Sequence, residues 1–414
     1  MLIKLLVLGT NQLNYPKFLY TGLRKISHEF RVTLGVRASG SDLNFFDSTM
    51  SSELNVRSIL AGALSVGAKR IFWQLLFFIL LIEGKFRKTI HFVLEWILAN
   101  AFVRYNDDFK SIDVVHFHFI QYSYIRHLFF VPKSKRIVCS FWGSDLLRTH
   151  DTFNHLIVKK ALEKSDVITV QSMEMQQILL AKFGRHLNPK VRILKFVLNQ
   201  DVFEAIDTLT THEVNEFMVR WNLDPKLNVI LLGNSASRYN NHLDMIRSIK
   251  ELSNHLSVQL VIPFNYGMEL EERMRYRKEL EYSLLDTKCP YVFIDEYLNA
   301  RQLACLRRVT NVMVHLPESD ALSGAATEAM YAGSSLITAA WLPYSPFKNS
   351  GLIYRSIDAF DQLRNEIMTL INTPIADSAK RDNRRIVQEV FLSDSVAEQW
   401  LTLFKDLSPA NGTH

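Results

Sequence analysis

The sequence predicts an α/β protein made of two Rossmann-like domains that face each other across a cleft. Short apolar runs alternate with helical stretches along the chain, and this alternation indicates parallel sheets covered by helices on both faces. A more polar and less regular region around residues 204–227 separates two such blocks. The 414 residues also exceed the length of one average domain.

Short apolar runs predict the strands of both sheets. The expected strands of the first block are Ile3–Leu8, Val32–Val36, Val114–His118, Ile137–Ser140, Val167–Val170 and Val191–Leu194. Those of the second block are Val229–Leu232, Val258–Pro263, Val292–Ile294, Val312–His315 and Ser335–Thr338. Helices are expected between these strands, for example at Phe153–Lys164 and Ser172–Phe183.

The domain boundaries follow from this pattern. Residues 1–205 are expected to form the first domain, 206–226 a linker, and 227–392 the second domain. Residues 393–414 are a predicted helix and tail that can cross back to the first domain. Ligands of open α/β sheets bind beyond the carboxyl ends of the strands, so the cleft between the domains is the expected site.

Composition excludes several classes of protein. Apolar residues make up 48% of the chain, which argues against disorder. A net charge of +6 is modest and favours anionic partners such as nucleotide phosphates or anionic lipids. The three cysteines form no CxxC pair, which predicts buried thiols in a reducing compartment. No basic segment with a cleavage site precedes the first strand, so no signal peptide is expected.

One apolar segment, residues 69–100, does not suit an ordinary sheet domain. Residues 71–82 read IFWQLLFFILLI, and a helix of this length spans about 18 Å, less than the roughly 30 Å hydrocarbon core. Two interpretations stay open: a buried helix pair, or an interfacial element whose cations contact anionic headgroups. The flanking cations are Lys69, Arg70, Lys85, Arg87 and Lys88.

Around the end of a predicted strand, the segment 319–333 carries two carboxylates, Asp320 and Glu328, on either side of a small-residue turn. Unpaired N–H groups at the start of the following helix would bind phosphate. Ser323, Gly324 and Ala325 leave room for a diphosphate, and Glu328 could accept hydrogen bonds from a ribose. The alternative is an ordinary strand–loop–helix unit with acidic residues favoured by the helix dipole.

Two further loops of the second domain also follow strands. Gly233, Asn234 and Ser235 would expose backbone donors to an anion, and Arg238 would supply a fixed positive fork for a diphosphate. Tyr266 could stack on a nucleobase. The alternative is a set of polar turns, which often contain these residue types.

Candidate acceptor residues follow two strands of the first domain. His116 and His118 share one face of a strand, because residues i and i+2 point the same way. Trp142 and Gly143 follow the next strand, where an indole could stack on a sugar or lipid. Asp145 could cap the next helix. The histidine pair could also be half of a metal site, but no third ligand has a matching spacing.

These motifs, in this order, resemble those of the GT-B glycosyltransferases, particularly family 4, a large family of retaining nucleotide-sugar transferases. The resemblance covers nearly the whole chain. It lies in DVVHFH at 113–118, GSD at 143–145, the run at 161–172, the motif ending EAMYAG at 328–333 and VAEQW at 396–400. Three motifs, WGSDL at 142–146, GNSxxRxNxH at 233–242 and VIPxxY at 261–266, are similar to the transferases that add 4-acetamido-4,6-dideoxygalactose to the lipid intermediate of enterobacterial common antigen.

The resemblance implies a nucleotide-diphosphate-sugar donor on the second domain and an acceptor on the first. Arg238 and N–H groups near Ser323 would stabilise the leaving diphosphate, so neither a metal nor another cofactor is expected. Asp320 would contact the donor sugar, and either His118 or Asp145 would orient the acceptor hydroxyl. Asp320 stands where family four usually has Glu, and Trp142 where it has His. The aminosugar transferases are inverting and lack the two-carboxylate motif, so a retaining outcome is slightly favoured.

The sequence therefore predicts a glycosyltransferase of bacterial cell-surface polysaccharide synthesis, such as O-antigen or capsule. Its expected acceptor is a polyprenyl-diphosphate-linked saccharide or another glycan, without a nucleic-acid partner. It is expected in the cytoplasm, peripheral on the anionic inner face of the cytoplasmic membrane. A GT-B nucleotide-sugar 2-epimerase and a non-catalytic two-domain binding protein are the alternatives. The apolar segment argues against the epimerase, and Arg238, Asp320 and Glu328 argue against the binding protein.

Overall fold

The computed structural model describes residues 2–9, 14–35, 48–49, 56–82, 86–250, 252–392 and 394–408. The chain divides into two compact units. The first consists of Met1–Val197 together with Asp394–His414, and the second of Leu198–Ser393. Each unit has its own parallel sheet.

Within the described residues, the first unit contains a seven-stranded sheet of order β3-β2-β1-β4-β5-β6-β7. Its central strands are buried along almost their whole length, which explains their continuous apolar sequences. The strands are β1 Ile3–Gly9, β2 Phe30–Leu34, β3 Ser48–Thr49, β4 Val114–His118, β5 Arg136–Ser140, β6 Val167–Val170 and β7 Val191–Ile193.

Helices connect these strands as parallel pairing requires. They are α1 Asn14–Ile26, α2 Val56–Val66, α3 Arg70–Phe77, α4 Phe86–Tyr105, α5 Asp107–Lys110, α6 Tyr122–Ile125, α7 Ser144–Leu147, α8 Thr152–Lys164 and α9 Met173–Phe183. A π-helical turn, Phe78–Ile82, continues α3.

The second unit has a six-stranded parallel sheet in its described part, with the order β10-β9-β8-β11-β12-β13. Relative to the first strand of the unit, this is the 3-2-1-4-5-6 order of the doubly wound Rossmann sheet. The strands are β8 Asn228–Leu232, β9 Val258–Pro263, β10 Tyr291–Ile294, β11 Thr310–His315, β12 Ser335–Ala339 and β13 Arg355–Ile357.

The helices of the second unit pack around this sheet. They are α10 Gln200–Thr208, α11 Thr211–Arg220, α12 His242–Ser248, α13 Leu270–Leu284, α14 Ala300–Val309, α15 Gly324–Ala332, α16 Ser345–Ser350, α17 Leu363–Asn372 and α18 Asp377–Val387. Strand order reverses between β8 and β11, which pair directly, and this switch point is where doubly wound sheets bind ligands.

The predicted linker 206–226 is wrong. Residues 211–220 form α11, which begins with a capping box between Thr210 and Glu213. Phe217 and Trp221 are buried in the core of the second unit. The segment looked like a linker because α11 is amphipathic, with a polar exposed face that dilutes its apolar positions. The boundary lies instead at Val197 and Leu198.

The C-terminal helix α19, Asp394–Asp406, belongs to the first unit although about 200 residues of the second unit precede it. Trp400 is fully buried there, and its indole N–H donates to the backbone oxygen of Lys195 at 2.8 Å. Phe404 is also fully buried and packs edge-on against Phe30. These contacts make α19 part of the hydrophobic core of the first unit.

The apolar segment forms α3, the π-helical turn and α4, with α2 beside α4. Its inner side is buried, as Phe72 and Trp96 show, but its outer side is not. Trp73 and Phe77 on α3 are 56% and 59% exposed. We call the exposed apolar side chains of these helices the apolar patch: Leu60, Leu64, Trp73, Phe77, Leu80, Ile90, Leu94 and Leu98.

The patch follows helical spacing on each helix, so every one of the three presents an apolar stripe outward. In the part of the chain that the structure describes, no single helix has both the length and the apolar character to cross a bilayer. The helical pieces Ile59–Val66 and Arg70–Leu80 meet that criterion only as a pair, which is bent by 80°. Lys85 and the side chain of Lys88 lie outside the described residues.

Candidate functional site

The predicted donor loops meet at the switch point of the second sheet. The first follows β8 and the second follows β11, and these strands are parallel neighbours. The Glu318 N–H donates to the Tyr239 oxygen at 2.8 Å, and the Asn241 side-chain amide donates to the Leu316 oxygen at 2.9 Å. The structure therefore brings the two loops together.

Four backbone N–H groups on these loops have no hydrogen-bond partner among the described residues: those of Asn234, Ser235, Gly324 and Ala325. Gly324 and Ala325 open α15, where N–H groups and the helix dipole favour an anion. An added Cβ on Gly324 would meet nothing closer than Leu198 at 3.7 Å. The loops thus form a cradle of donors with room for a phosphate.

Two side chains shape this cradle from within. Ser323 caps α15, because its Oγ accepts the Ala326 N–H at 3.1 Å. Asn240 donates to the Ser235 Oγ at 2.8 Å and to the Ser235 oxygen at 3.1 Å, which fixes the first loop. Gly233 adopts a φ of +68°, and a Cβ there would lie 2.7 Å from His242 Nε2, so only glycine fits.

Glu328 lies one turn into α15 and is held by a buried arginine on α14. Arg307 donates to Glu328 Oε2 from Nε at 3.1 Å and from Nη2 at 3.0 Å. Burial raises the pKa of Glu328, and the charge of Arg307 opposes this shift. Since Arg307 takes Oε2, the other oxygen remains for a ligand hydroxyl. Arg307 Nη1 is buried without a partner among the described residues.

Asp320 lies in the loop after β11 and is oriented by three donors. His315 Nε2 and the Tyr344 hydroxyl each lie 2.9 Å from Oδ2, and the Ala321 N–H lies 2.8 Å from Oδ1. Burial by itself raises the pKa of Asp320, but the hydrogen bonds, chiefly from His315, outweigh it and hold the pKa below its usual value. Asp320 is therefore a fixed negative charge beside the cradle.

Tyr266 lies in the loop after β9, and its backbone oxygen accepts the Ala236 N–H at 2.7 Å. The ring is about half exposed. Partial burial raises the pKa of Tyr266 to about 12; the charge of Arg307 opposes this shift, and the charges of Glu328 and Asp320 add to it. The phenol thus lies within electrostatic range of both carboxylates, and the ring is accessible to a ligand.

The environment of Arg238 differs from the predicted one. Its guanidinium forms two hydrogen bonds to Glu279 on α13, at 2.6 and 2.8 Å, and lies 4.3 Å from the centre of the Tyr276 ring. Its Nε is also 3.8 Å from Glu272. Arg238 therefore shares its charge with α13, and a diphosphate would have to compete with Glu279 for it.

The two predicted acceptor histidines, His116 and His118, are not exposed. His116 and His118 are fully buried, and Tyr20 Oη lies 2.7 Å from His116 Nδ1 and 3.1 Å from His118 Nε2. The Trp142 indole donates to His118 Nδ1 at 3.2 Å. His116 Nε2 lies 2.6 Å from Ser140 Oγ.

One tautomer pattern satisfies this chain of contacts with both rings neutral. Trp142 donates to His118 Nδ1, His118 Nε2–H donates to Tyr20, and Tyr20 donates to His116 Nδ1, a proton arrangement assigned from the network. Burial lowers the pKa of His118 to about 3 and that of His116 well below its usual value. Both rings are therefore buried and hydrogen-bonded within the first unit, and their acceptor roles stay a prediction that this packing does not favour.

Asp145 is also a positioning residue. It is 1% exposed, with Oδ2 accepting the Ile120 N–H at 2.7 Å and Oδ1 accepting the N–H groups of Trp142 and Gly143 at 2.9 Å. Burial raises the pKa of Asp145 to about 6 against the effect of these N–H donors. It ties the loop after β4 to the loop after β5, and at 1% exposure its carboxylate faces these backbone N–H groups and not the surface.

Trp142 is the predicted acceptor residue with the most accessible side chain. It is half-buried, and its ring packs edge-on against Phe119 and Phe196. Gly143 is buried and has a φ of +136°, which glycine alone adopts readily, so that its N–H can reach Asp145. The pair therefore forms a rigid turn with one aromatic face at the carboxyl edge of the sheet.

The Asp145 contacts lead to a stability prediction. Asp145→Asn should lower the free energy of unfolding by about 2–4 kcal/mol, because the amide NH₂ would face backbone donors and leave buried N–H groups unpaired. Chemical denaturation measures the effect. Asp151→Asn is the matched control: Asp151 caps α8 through the Phe153 N–H at 2.7 Å, and Asn caps as well as Asp. Equal losses in the two variants would contradict the prediction.

Sequence reasoning missed three residues of the donor site: Arg307, His315 and Tyr344. His315 could have been found, because it ends a buried strand five residues before Asp320. Arg307 also had a signal, because it follows Ala300, Leu303 and Ala304 at the i, i+3, i+4, i+7 spacing of the core-facing side of α14. Among the described residues, no group of His, Cys, Asp and Glu side chains could hold a metal ion.

No protein-family model and no curated protein matches the sequence. Solved structures do match. The chain is similar to a glycosyltransferase from Rickettsia africae ESF-5, with a TM-score of 0.68, 10% identity and 98% coverage of both chains. It is similar to sucrose-phosphate synthase from Thermosynechococcus elongatus, with a TM-score of 0.70, 13% identity and coverage of 98% of this chain and 99% of that one.

A third similar structure is HepE from Anabaena in complex with UDP and glucose. Its TM-score is 0.67 at 12% identity, with 98% of this chain and 100% of that one covered. Together with the two parallel sheets, these similarities confirm the predicted α/β class and the GT-B fold. At such low identity they define the fold alone.

Proposed function

We propose that the protein is a glycosyltransferase that takes a sugar from a nucleotide-diphosphate donor bound to the second unit. The observation that carries the proposal is the donor cradle at the switch point of the second sheet. It combines unpaired N–H groups for a diphosphate with Glu328, held by Arg307, for a ribose. The similar structures include a protein in complex with UDP and glucose, which supports a uridine-type donor.

The proposed reaction depends more on stabilising the charge of the leaving diphosphate than on general acid or base catalysis. When the sugar leaves, negative charge grows on the nucleoside diphosphate, and N–H groups fixed before the reaction stabilise it without reorganising. Ser323 and Asn240 fix the loops that carry these donors. Turnover without a divalent metal is therefore expected, with activity surviving exhaustive chelation.

Asp320 is proposed to contact the donor sugar. Its charge is fixed by His315 and Tyr344, so it could stabilise positive charge that develops on the sugar ring. We favour a retaining outcome, because the carboxylate pair Asp320 and Glu328 matches the retaining pattern named above. The anomeric configuration of the product, read from proton coupling constants, distinguishes retention from inversion.

A lipid-linked saccharide is the proposed acceptor, with Trp142 as its aromatic contact on the first unit. The apolar patch supports this, since several exposed apolar side chains on packed neighbouring helices are typical of an interaction surface. Exposed Lys69, Arg70 and Arg87 flank it and would favour an anionic leaflet. The proposed setting is the cytoplasmic face of a bacterial membrane during surface-polysaccharide synthesis.

One experiment separates this function from its alternatives. The protein is incubated with a panel of nucleotide sugars, with and without bacterial lipid extract, and products are identified by mass spectrometry. Nucleoside diphosphate release that depends on lipid is the expected result. Interconversion of the donor sugar without lipid would indicate an epimerase, and binding without turnover of any donor would indicate a non-catalytic protein.

Glu328 gives the sharpest binding prediction. Glu328→Gln should weaken nucleoside diphosphate binding about tenfold, since a charged acceptor for a ribose hydroxyl becomes neutral. Glutamine keeps a carbonyl for Arg307, whereas alanine would leave a buried guanidinium unpaired and cost stability. Calorimetric titration with UDP and TDP measures the change. Glu366→Gln on α17 is a control carboxylate on another helix, and unchanged affinity in Glu328→Gln would contradict the ribose role.

A further inference from the structure

We propose that a groove between α3 and α8 binds one anionic phospholipid of the surrounding bilayer, separately from the acceptor. The groove has a volume of about 970 Å³. The two helices lie on the first unit, and the groove adjoins the apolar patch through Trp73 and Phe77.

Most of the groove wall suits a hydrocarbon chain. Ile71, Leu75 and Phe78 line it from α3 and the π-helical turn, and Leu156 lines it from α8. Phe78 stacks on Phe153 at the start of α8, with ring centres 6.0 Å apart, and this contact marks the apolar end. Burying a chain here would remove apolar surface from water at about 25 cal/mol per Å².

The opposite end of the groove is suited to a phosphate. It lies at the N-terminus of α3, whose cap residue Lys69 makes no side-chain hydrogen bond to the helix. The N–H groups of Arg70 and Ile71 have no partner among the described residues. Arg70 and Lys160 line this end, so backbone donors, helix dipole and side-chain charge all favour an anion.

One carboxylate is present among these cations. Glu163 lies 2.7 Å from the Lys160 ammonium and neutralises part of its charge. Lys159 lines the groove and has no ion pair among the described residues. Lys164, near the same end of α8, does not line the groove, because its Nζ donates to the backbone oxygens of Leu128 and Val131 at 2.7 and 2.9 Å.

The direction of the groove favours a phospholipid over the lipid-linked acceptor. α8 starts on the carboxyl side of β5 and ends just before the amino end of β6. The cationic end lies beside Lys160 and Glu163, in the last turn and a half of α8. A phosphate bound there points away from the carboxyl edge, where Trp142 lies. An acceptor diphosphate would have to point toward that edge.

The proposal rests on the proposed membrane contact for the source of the lipid, but its test needs neither a membrane nor turnover. Dihexanoyl phosphatidylglycerol is titrated below its micelle concentration and compared with dihexanoyl phosphatidylcholine and inorganic phosphate. Saturable binding of phosphatidylglycerol, at least tenfold tighter than of phosphatidylcholine and absent for phosphate, is the expected result. Equal affinity for the two lipids, or phosphate binding as tight as that of phosphatidylglycerol, would overturn the proposal.

A charge variant tests the headgroup end. Arg70→Gln combined with Lys160→Gln should weaken phosphatidylglycerol binding roughly 10- to 30-fold, since each cation near an anionic headgroup contributes about 1 kcal/mol. Phosphatidylcholine binding should not change. The matched control is Arg185→Gln with Lys226→Gln, which removes the same charge from exposed sites outside the groove. Equal losses in the two double variants would show that only net charge matters.

A filling variant tests the apolar end. Leu156→Trp places an indole in the groove and should abolish saturable lipid binding, whereas Leu64→Trp, on the patch but outside the groove, should not. Sedimentation with anionic vesicles separates lipid binding in the groove from membrane contact through the apolar patch. Loss of vesicle binding in Leu64→Glu with retained monomer binding supports a distinct groove. Retained monomer binding in Leu156→Trp, with the fold verified by circular dichroism, would refute it.

Discussion

Arg238→Ala should lower the rate of glycosyl transfer by about 10²-fold, with a smaller effect on binding of the intact donor. The reason is that the guanidinium would stabilise negative charge that grows on the diphosphate as the sugar leaves. In the structure this guanidinium is held by Glu279, so catalysis requires it to exchange one anion for another. Steady-state kinetics with saturating acceptor measure kcat and KM separately.

Glu279→Gln is the matched variant for this prediction. It removes the competing carboxylate but retains a neutral partner for Arg238, so nucleoside diphosphate should bind a few-fold more tightly. Exposed ion pairs contribute little to stability, and neither variant should unfold the protein. If Arg238 serves only its ion pair with α13, both variants will retain wild-type kinetics, and the diphosphate role will have to be given up.

Acidification should destabilise the first unit by several kcal/mol between pH 6.5 and 5. Burial lowers the pKa of His118 and His127 to about 3 and that of His116 well below its usual value. The unfolded chain, with histidine pKa values near 6.5, then binds more protons than the folded one, so stability is complete above pH 6.5 and falls below it. Each histidine contributes about 1.4 kcal/mol per pH unit.

Asp145 changes the pH dependence of the free energy of unfolding in the opposite direction. Its folded-state pKa of about 6 lies above the usual value, so below pH 6 the folded state binds the additional proton and gains stability. Three histidines against one carboxyl leave a net loss on acidification. Denaturant unfolding at pH 7.5, 6.5, 5.5 and 5 measures the slope.

A variant of His127 tests the predicted slope of the free energy of unfolding against pH. His127 is half-buried against Phe102, with ring centres 5.3 Å apart, and its buried Nδ1 has no partner among the described residues. His127→Phe should therefore reduce the slope by about 1.4 kcal/mol per pH unit at little cost at pH 7.5. His212→Gln, at an exposed position on α11, should leave the slope unchanged. A wild-type slope near zero would mean that these histidines are charged or hydrated when folded.

Strand positions could be predicted because buried parallel strands are continuous apolar runs. All of the predicted strands are present, with shifts of one or two residues at some ends. The two strands that sequence reasoning missed, Ser48–Thr49 and Arg355–Ile357, are short edge strands. The edge strands β7 and β10 were found from their apolar runs, whereas Ser48–Thr49 and Arg355–Ile357 have only two or three residues and no such run.

The candidate site was only partly predictable. The loops after β8 and β11 could be found, because each places glycine and small polar residues directly after an apolar strand. The side-chain environments could not. His118 and Trp142 lie in adjacent motifs, but only the three-dimensional packing of Tyr20 between two rings shows that the histidines are internal. For Arg238, the competing Glu279 lies 41 residues away and has no sequence signature.

The discontinuous first unit has a consequence for how the protein is made. Trp400 and Phe404 complete its core, yet they leave the ribosome only after the whole second unit has been synthesised. At about 5–20 residues per second, this delay is roughly 10–40 s. During that time the nascent first unit exposes the apolar surface that α19 will cover, beside Phe30 and Phe196. The second unit, contiguous in sequence, can fold first, and the N-terminal half completes its core only when translation of α19 ends.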